Sequence, residues 1–215
     1  MAIFSSTLMT RAKGSVGNLT LVTSKGRMIA KQKISIMSNP RTERQQSQRS
    51  AMALAVALWQ YTGSVIKSGI TVYPQFGSQY NGFVNQNIAF LKNSTIDPNA
   101  IRNQDLVGVK ATNGNLGTIN FSIDDVTLDN AVFSFPTGAL KNIAKVGDRV
   151  KLVIGSGLQS EMGYFEKELV ASNLTSTATF VEFTDDFANY RTAPVFAIWV
   201  ETADSTKSTS SVFKN

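Results

Sequence analysis

The sequence predicts an α+β fold: an N-terminal arm, a β-hairpin and two helices, followed by an antiparallel β-sandwich or barrel. Three observations carry this expectation. Helix-start signals and helical apolar spacing are confined to the first hundred residues. Beyond them come short runs rich in Val, Ile, Phe and Thr, separated by Gly, Asn and Asp. A chain of 215 residues is also long enough to bury a core without covalent staples. The expected division is a basic arm, hairpin and helical region over 1–100 and an antiparallel β domain over 101–215.

Residues 1–16 show no sustained period and read as an extended arm. Asn18–Val22 and Met28–Ile36 read as strands joined at Thr23–Gly26, where Gly26 can take a positive φ. Alternation along the second strand places Arg27, Ile29, Lys31, Lys33 and Ser35 on one face, and Met28, Ala30, Gln32, Ile34 and Ile36 on the other. Asn39 is a suitable N-cap and Pro40 a suitable first residue for a helix running to about Tyr61. Its first half is polar all round and its second, Ala51–Trp59, apolar all round. That requires one buried end, and the alternating alanines admit a close neighbour. Gly63 and Gly69 break this pattern, and Tyr73–Gly77 reads as a turn.

A second helix is expected over Asn81–Asn93, with Val84, Ile88 and Leu91 forming a stripe beside Phe83 and Phe90. Strands are expected near Leu106–Ala111, Leu116–Ile123, Val126–Phe135, Arg149–Ile154, Tyr164–Ala171, Thr177–Phe183 and Val195–Glu201. Asn113-Gly114 signals a hairpin between the first two, and the Ser/Thr-rich tail 205–211 reads as extended or mobile.

Charge is distributed unevenly. Residues 1–70 hold ten Lys or Arg and one acid, Glu43, whereas the remainder holds eleven basic and fourteen acidic residues, about +9 against −3. The front of the chain is therefore expected to meet something acidic, either nucleic acid or a neighbouring subunit. The cations that could contact phosphates are Arg11, Lys13, Lys25, Arg27, Lys31, Lys33, Arg41, Arg44 and Arg49. No recognised DNA-binding motif frames them, so any DNA contact is expected to be unspecific and salt-dependent. The longest apolar run is about half of the ~20 residues a membrane-spanning helix needs, and the first residues do not read as a signal peptide. Synthesis in the cytoplasm and no membrane contact are expected.

The chain contains neither histidine nor cysteine. That removes the commonest general base, the commonest metal ligands and the thiol nucleophile. Asp124-Asp125 and Asp185-Asp186 are adjacent acids at expected turns; neighbours on a strand point apart, so they read as solvated loop residues rather than a cation site. Gly14-Ser15-Val16-Gly17-Asn18 lacks the Lys-Ser/Thr ending of a phosphate loop and precedes a strand, so its glycines read as bends. No catalytic, cofactor-binding or metal-ligating residue emerges, and the expectation is a non-enzymatic protein without a cofactor.

Gly14, Gly17 and Asn18, followed by a basic strand and then Asn39, Pro40, Thr42, Gln45, Gln48 and Arg49, form the pattern Gly-x-x-Gly-Asn and Asn-Pro-x-Thr-x-x-Gln-x-x-Gln-Arg. In this the chain resembles a family of bacteroidete and bacteroidete-phage structural proteins, and Phe83–Asn87 and Phe196–Val200 are similar too. The resemblance implies a virion component of crAss-like gut phages, with a tail ring or collar protein as the role. It implies no catalytic residue.

Together these readings give a structural subunit of the phage tail or collar connector, made in the host cytoplasm and located in the virion. It would close into a cyclic homo-oligomer and stack with other tail or portal-proximal proteins around the genomic DNA. The contact residues expected for oligomer or partner are Asn39, Pro40, Thr42, Gln45, Gln48, Arg49, Leu54 and Leu58. Those expected for DNA or an acidic partner are Arg11, Lys13, Lys25, Arg27, Lys31, Lys33, Arg41 and Arg44. The alternative is a surface or secreted accessory module of a gut bacterium that binds glycan or protein, suggested by the strand-rich half and by Tyr164, Tyr190 and Trp199.

Overall fold

In the computed structural model the described residues are 13–25, 27–33, 41–75, 77–157 and 161–215, together with the backbone of 2–4. The α+β class holds: an N-terminal hairpin and helices accompany antiparallel sheets. The chain divides into two units, Met1–Gln45 and Gln46–Asn215. The division does not fall near residue 100 because the helices share a core with strands of the second unit.

The first unit holds a four-stranded antiparallel sheet. Its strands are β1 (Ala2–Phe4), β2 (Gly14–Val16), β3 (Leu19–Ser24) and β4 (Arg27–Gln32), in the order β1-β4-β3-β2. Part of the expected arm is therefore strand. Tight turns make this possible: Gly17 sits at φ 55° between β2 and β3, and Lys25 at φ 49° between β3 and β4. The far end of the expected second strand, Ile34–Ile36, lies outside the described residues, as do Asn39 and Pro40.

Helix α1 runs over Glu43–Ile66, beginning three residues beyond the expected first residue, Pro40, and ending five beyond Tyr61. Thr42 caps it, its Oγ1 accepting from the Gln45 N–H at 3.4 Å. Buried residues Ala51, Leu54, Ala55, Leu58, Thr62 and Ile66 repeat at three- and four-residue intervals. The all-round apolar stretch thus buries one stripe, and Met52 and Val56 remain exposed. Gly63 does not break the helix; a Cβ there would stand 3.0 Å from the Trp59 ring, so its bareness admits the indole.

Helix α2 covers Gln79–Leu91, but its fully buried residues are Gly82, Phe83, Asn87 and Leu91. The stripe is rotated from the expected one because Asn87 is needed inside. The Lys110 N–H donates to Asn87 Oδ1 at 2.8 Å, and Asn87 Nδ2 donates to the Lys110 carbonyl at 3.0 Å. One amide side chain thereby satisfies both backbone groups at the start of β5 (Lys110–Thr112).

The strands that follow are β6 (Ser122–Val126), β7 (Asn130–Ser134), β8 (Arg149–Ser156), β9 (Gly163–Glu168), β10 (Phe180–Thr184), β11 (Pro194–Glu201) and β12 (Ser211–Val212); a short helix, α3 (Ala139–Ile143), lies between β7 and β8. They form an outer sheet β10-β7-β6, a central sheet β11-β8-β9 and a ribbon β12-β5. The central pair β8–β11 runs in register from Arg149↔Glu201 to Ser156↔Pro194. Its two faces enter two different cores. Val150, Leu152, Ile154, Phe196, Ile198 and Val200 cluster with Phe133, Val181 and Phe183 of the outer sheet. Val153, Val195, Ala197 and Trp199 cluster with Leu54, Leu58 and Phe83 of the helices. The second unit is thus three layers, helices on central sheet on outer sheet. Each large side chain in these cores contributes roughly 1.5–3 kcal/mol relative to exposure.

Three further expectations fail for physical reasons. Asn113-Gly114 makes no hairpin: β5 pairs with the C-terminal β12, and Gly114 lets the chain pass Ser208, whose carbonyl oxygen an added Cβ would strike. Val126–Phe135 is broken by a turn at Thr127–Asp129, where Thr127 Oγ1 accepts from the Asn130 N–H at 3.1 Å. From Ser208 onward the Ser/Thr-rich tail is built in, while 205–207 are exposed. Ser208 donates to the Gly69 carbonyl at 2.8 Å, Thr209 accepts from the Val200 N–H at 3.0 Å, and Phe213 is 1% exposed. In this tail, short hydroxyl side chains provide the hydrogen bonds that a buried, irregular strand needs.

Two variants test the role of the tail. Phe213→Ala should cost about 3–5 kcal/mol in urea unfolding. Gly114→Ala should cost at least ~1–3 kcal/mol, because the added carbon meets backbone rather than a movable side chain.

Candidate interaction surfaces and a buried ion pair

In the first unit the strand register assigns the paired side chains of β2, β3 and β4 to faces. Thr20↔Lys31, Val22↔Ile29 and Ser24↔Arg27 share one; Leu19↔Gln32, Leu21↔Ala30 and Thr23↔Met28 share the other, which Val16 joins through its pairing with Leu19. One face is therefore basic and the other mostly apolar, with Ile29 set among the cations. Lys13, Lys25, Lys31 and Lys33 are exposed, and Arg27 is half-buried. Met28 is the one described side chain of this sheet that is fully buried; Val16 is 72% and Leu19 51% exposed. The sheet has apolar surface on a face that the described residues leave largely open.

On α1, Gln48 and Arg49 lie on the exposed stripe that continues to Met52 and Val56. Thr42, Gln45, Arg41 and Arg44 are exposed at or before its first turn. Leu54 and Leu58, at 4% and 0% exposure, are committed to the chain's own core and are not contact residues for a partner. Arg11, Asn39 and Pro40 lie outside the described residues. Of the aromatics suggesting a binding module, Trp199 is fully buried and Tyr190 half-buried; Tyr164 alone is exposed.

The chemistry that sequence reasoning missed is Lys151 with Glu201. Lys151 stands opposite Trp199 and diagonal to Glu201, on the helix-facing side of the central sheet. Its Nζ lies 2.9 Å from Glu201 Oε2, the two side chains being 9% and 2% exposed, and donates to Ser68 Oγ at 3.3 Å. An open cleft of about 530 Å³, lined by Val65, Lys67, Ser68, Gln79, Lys151 and Tyr164, runs past the pair. It shares Ser68, Gln79 and Lys151 with a second of about 460 Å³ that reaches Tyr73 and Glu201.

Burial alone would lower the pKa of Lys151, but hydrogen bonds and charge from Glu201 and Tyr164 outweigh it and raise the pKa above the ordinary 10.5. Burial likewise favours the neutral form of Glu201, yet Ser205 and Lys151 bring its pKa below the ordinary 4.5. Ser68 beside an amine resembles a nucleophile–base pair, but such a base must be neutral, and here the ammonium is held charged. Through Ser68 the pair ties the Lys67–Gly69 turn to the central sheet.

The adjacent acids do local work. Asp124 occupies the bulge of β6 and accepts from Ser134 at 2.8 Å; Asp186 accepts from the Ala188 N–H at 3.0 Å. Among the described residues no cluster of acids could hold a metal ion, and no helix is long and apolar enough to cross a membrane. Comparison of the chain with protein-family models, curated proteins and solved structures finds no match.

Replacing Lys151 alone by Met should cost about 3–5 kcal/mol by leaving a buried carboxylate unpaired, whereas the Lys151→Met/Glu201→Leu double variant should be nearly neutral. The pH dependence follows from the two shifts. A lowered Glu pKa gives stability that is present above 4.5 and lost as pH falls through the folded value; a raised Lys pKa gives stability present below 10.5 and lost as pH rises through it. Unfolding monitored across pH should therefore show a plateau between these limits that is flatter at both ends in the double variant.

Proposed function

We propose that the chain is a non-enzymatic structural subunit of a virion. Its specific role is a ring-forming component of the phage tail or collar connector, stacking with other tail or portal-proximal proteins around the DNA path. One observation supports an assembling subunit above the others: the basic sheet of the first unit, whose described residues bury one side chain and leave Val16 and Leu19 open. A sheet of this kind gains stability when a face is covered, and a partner is an economical cover. The exposed stripe of α1 that carries Gln48 and Arg49 of the virion-protein pattern points the same way.

The test is mass in solution and in particles. Sedimentation of the purified chain should give a multiple of 23.3 kDa, and mass spectrometry of purified particles should find the chain in many copies. A protein that stays monomeric at micromolar concentration and is missing from particles would end this reading.

A further inference from the structure

The outer sheet β10-β7-β6 carries an opposite charge from the basic sheet. Residues 111–140 and 168–190, which supply all three of its strands, contain no Lys or Arg. They bring Asp124, Asp125, Asp129, Glu182, Asp185 and Asp186 to the strands and their turns. Ala131, Phe133, Val181 and Phe183 point into the core, so the alternate residues point out. Register makes a row of three on that outward face: Val132 stands between Asp125 on one side and Glu182 on the other. The next row is Ser122, Ser134 and Phe180, with Phe180 57% exposed, and Leu128 at the adjoining turn is 54% exposed. Lys167 and Lys214 are used on backbone: Lys167 donates to the Glu182 carbonyl at 2.5 Å and Lys214 to the Phe121 carbonyl at 3.1 Å. Among the described residues the ion pairs are Arg149–Glu166 and Lys151–Glu201, neither involving this sheet's acids.

We infer that this acidic outer face is the docking surface for the basic sheet of a second copy of the chain. The inference rests on the reading of the chain as an assembling subunit, and it names the contact. Along β4 the order on the basic face is cation, apolar, cation: Arg27, Ile29, Lys31, with Val22 beside Ile29. Across the outer sheet the order is acid, apolar, acid: Asp125, Val132, Glu182. The cations are four residues apart, roughly 13 Å, and the acids two strands apart, roughly 10 Å, so the rows are similar in length. One row follows a strand and the other crosses strands, so laying them together sets the two sheets near a right angle, a recognised mode of sheet packing. The two surfaces differ, so the contact is heterologous; copies joined this way run head to tail and close into a ring or continue as a filament. Opposite charges choose the partner and speed its approach, and apolar side chains on both sheets supply surface to bury.

The experiment uses the full-length chain in sedimentation velocity at low and high salt, with circular dichroism to check folding. Two charge-reversed variants, Arg27→Glu/Lys31→Glu and Asp125→Lys/Glu182→Lys, should each weaken self-association at least ~10-fold. Mixing them should restore association, because each supplies the face the other has lost. The neutral pair Asp125→Asn/Glu182→Gln should weaken it less while removing any doubt about folding. Unchanged association in the acid-face variants, with loss in the basic-face variant, overturns the inference and leaves the assembling subunit standing. Loss of duplex-DNA binding alone in the basic-face variant also overturns it, in favour of nucleic acid. A wild-type chain that never associates overturns both.

Discussion

The second unit depends on one constraint: β8 and β11 are buried on both faces. A strand pair in that position has no polar side to turn to water, so its side chains must be apolar on both faces or paired. Val150–Ile154 and Val195–Val200 meet the first condition, filling one core against the outer sheet and another against the helices. Lys151 and Glu201 meet the second, and they can do so because the register sets them on the same face within reach of each other. The C-terminal tail follows from the same constraint. Phe213 closes the helix-side core, and the Thr209 hydroxyl accepts from the Val200 N–H next to the buried glutamate.

The first unit obeys a different rule. Its four strands satisfy one another's backbone, yet one described side chain among them is fully buried. An isolated sheet of this sort is marginal in water. The chain therefore joins a unit with two filled cores to a sheet whose described residues bury one side chain, and most of its excess positive charge lies in the first unit. On the basic face the cations flank the half-buried Val22 and Ile29, a pattern that favours a partner that is acidic and itself partly apolar.

The fold class was legible because period and punctuation agree in the strongest elements. The hairpin around Lys25, helix α1 and the strand Val195–Glu201 follow directly from alternation, helical spacing and β-branched composition. What escaped was decided by tertiary neighbours. Asn87 looks like a polar residue on an exposed side of α2, and its place inside is set by a strand end 23 residues away. Asn113-Gly114 has hairpin chemistry, but its glycine serves a close approach to Ser208. The tail's hydroxyl residues mimic a disordered segment because short polar side chains suit both solvent and a buried hydrogen-bonded crossing. For the candidate surfaces, the basic and apolar faces of β4 could be read from alternation alone. The Lys151–Glu201 pair left a weaker trace, one charge interrupting each of two apolar runs, and linking them required the β8–β11 register. Leu54 and Leu58 were misassigned because an all-round apolar helix does not say which stripe its own core will take.

Direct imaging of the assembled protein by electron microscopy bears most immediately on the central claim, that the basic face of the first unit's sheet docks on the acidic outer face of a neighbouring copy. The account predicts closed rings or head-to-tail filaments in which the sheet of residues 13–33 lies across the neighbour's 122–134 and 180–184 strands. An assembly joined by two-fold contacts, or one in which residues 13–33 face open solvent, would contradict it.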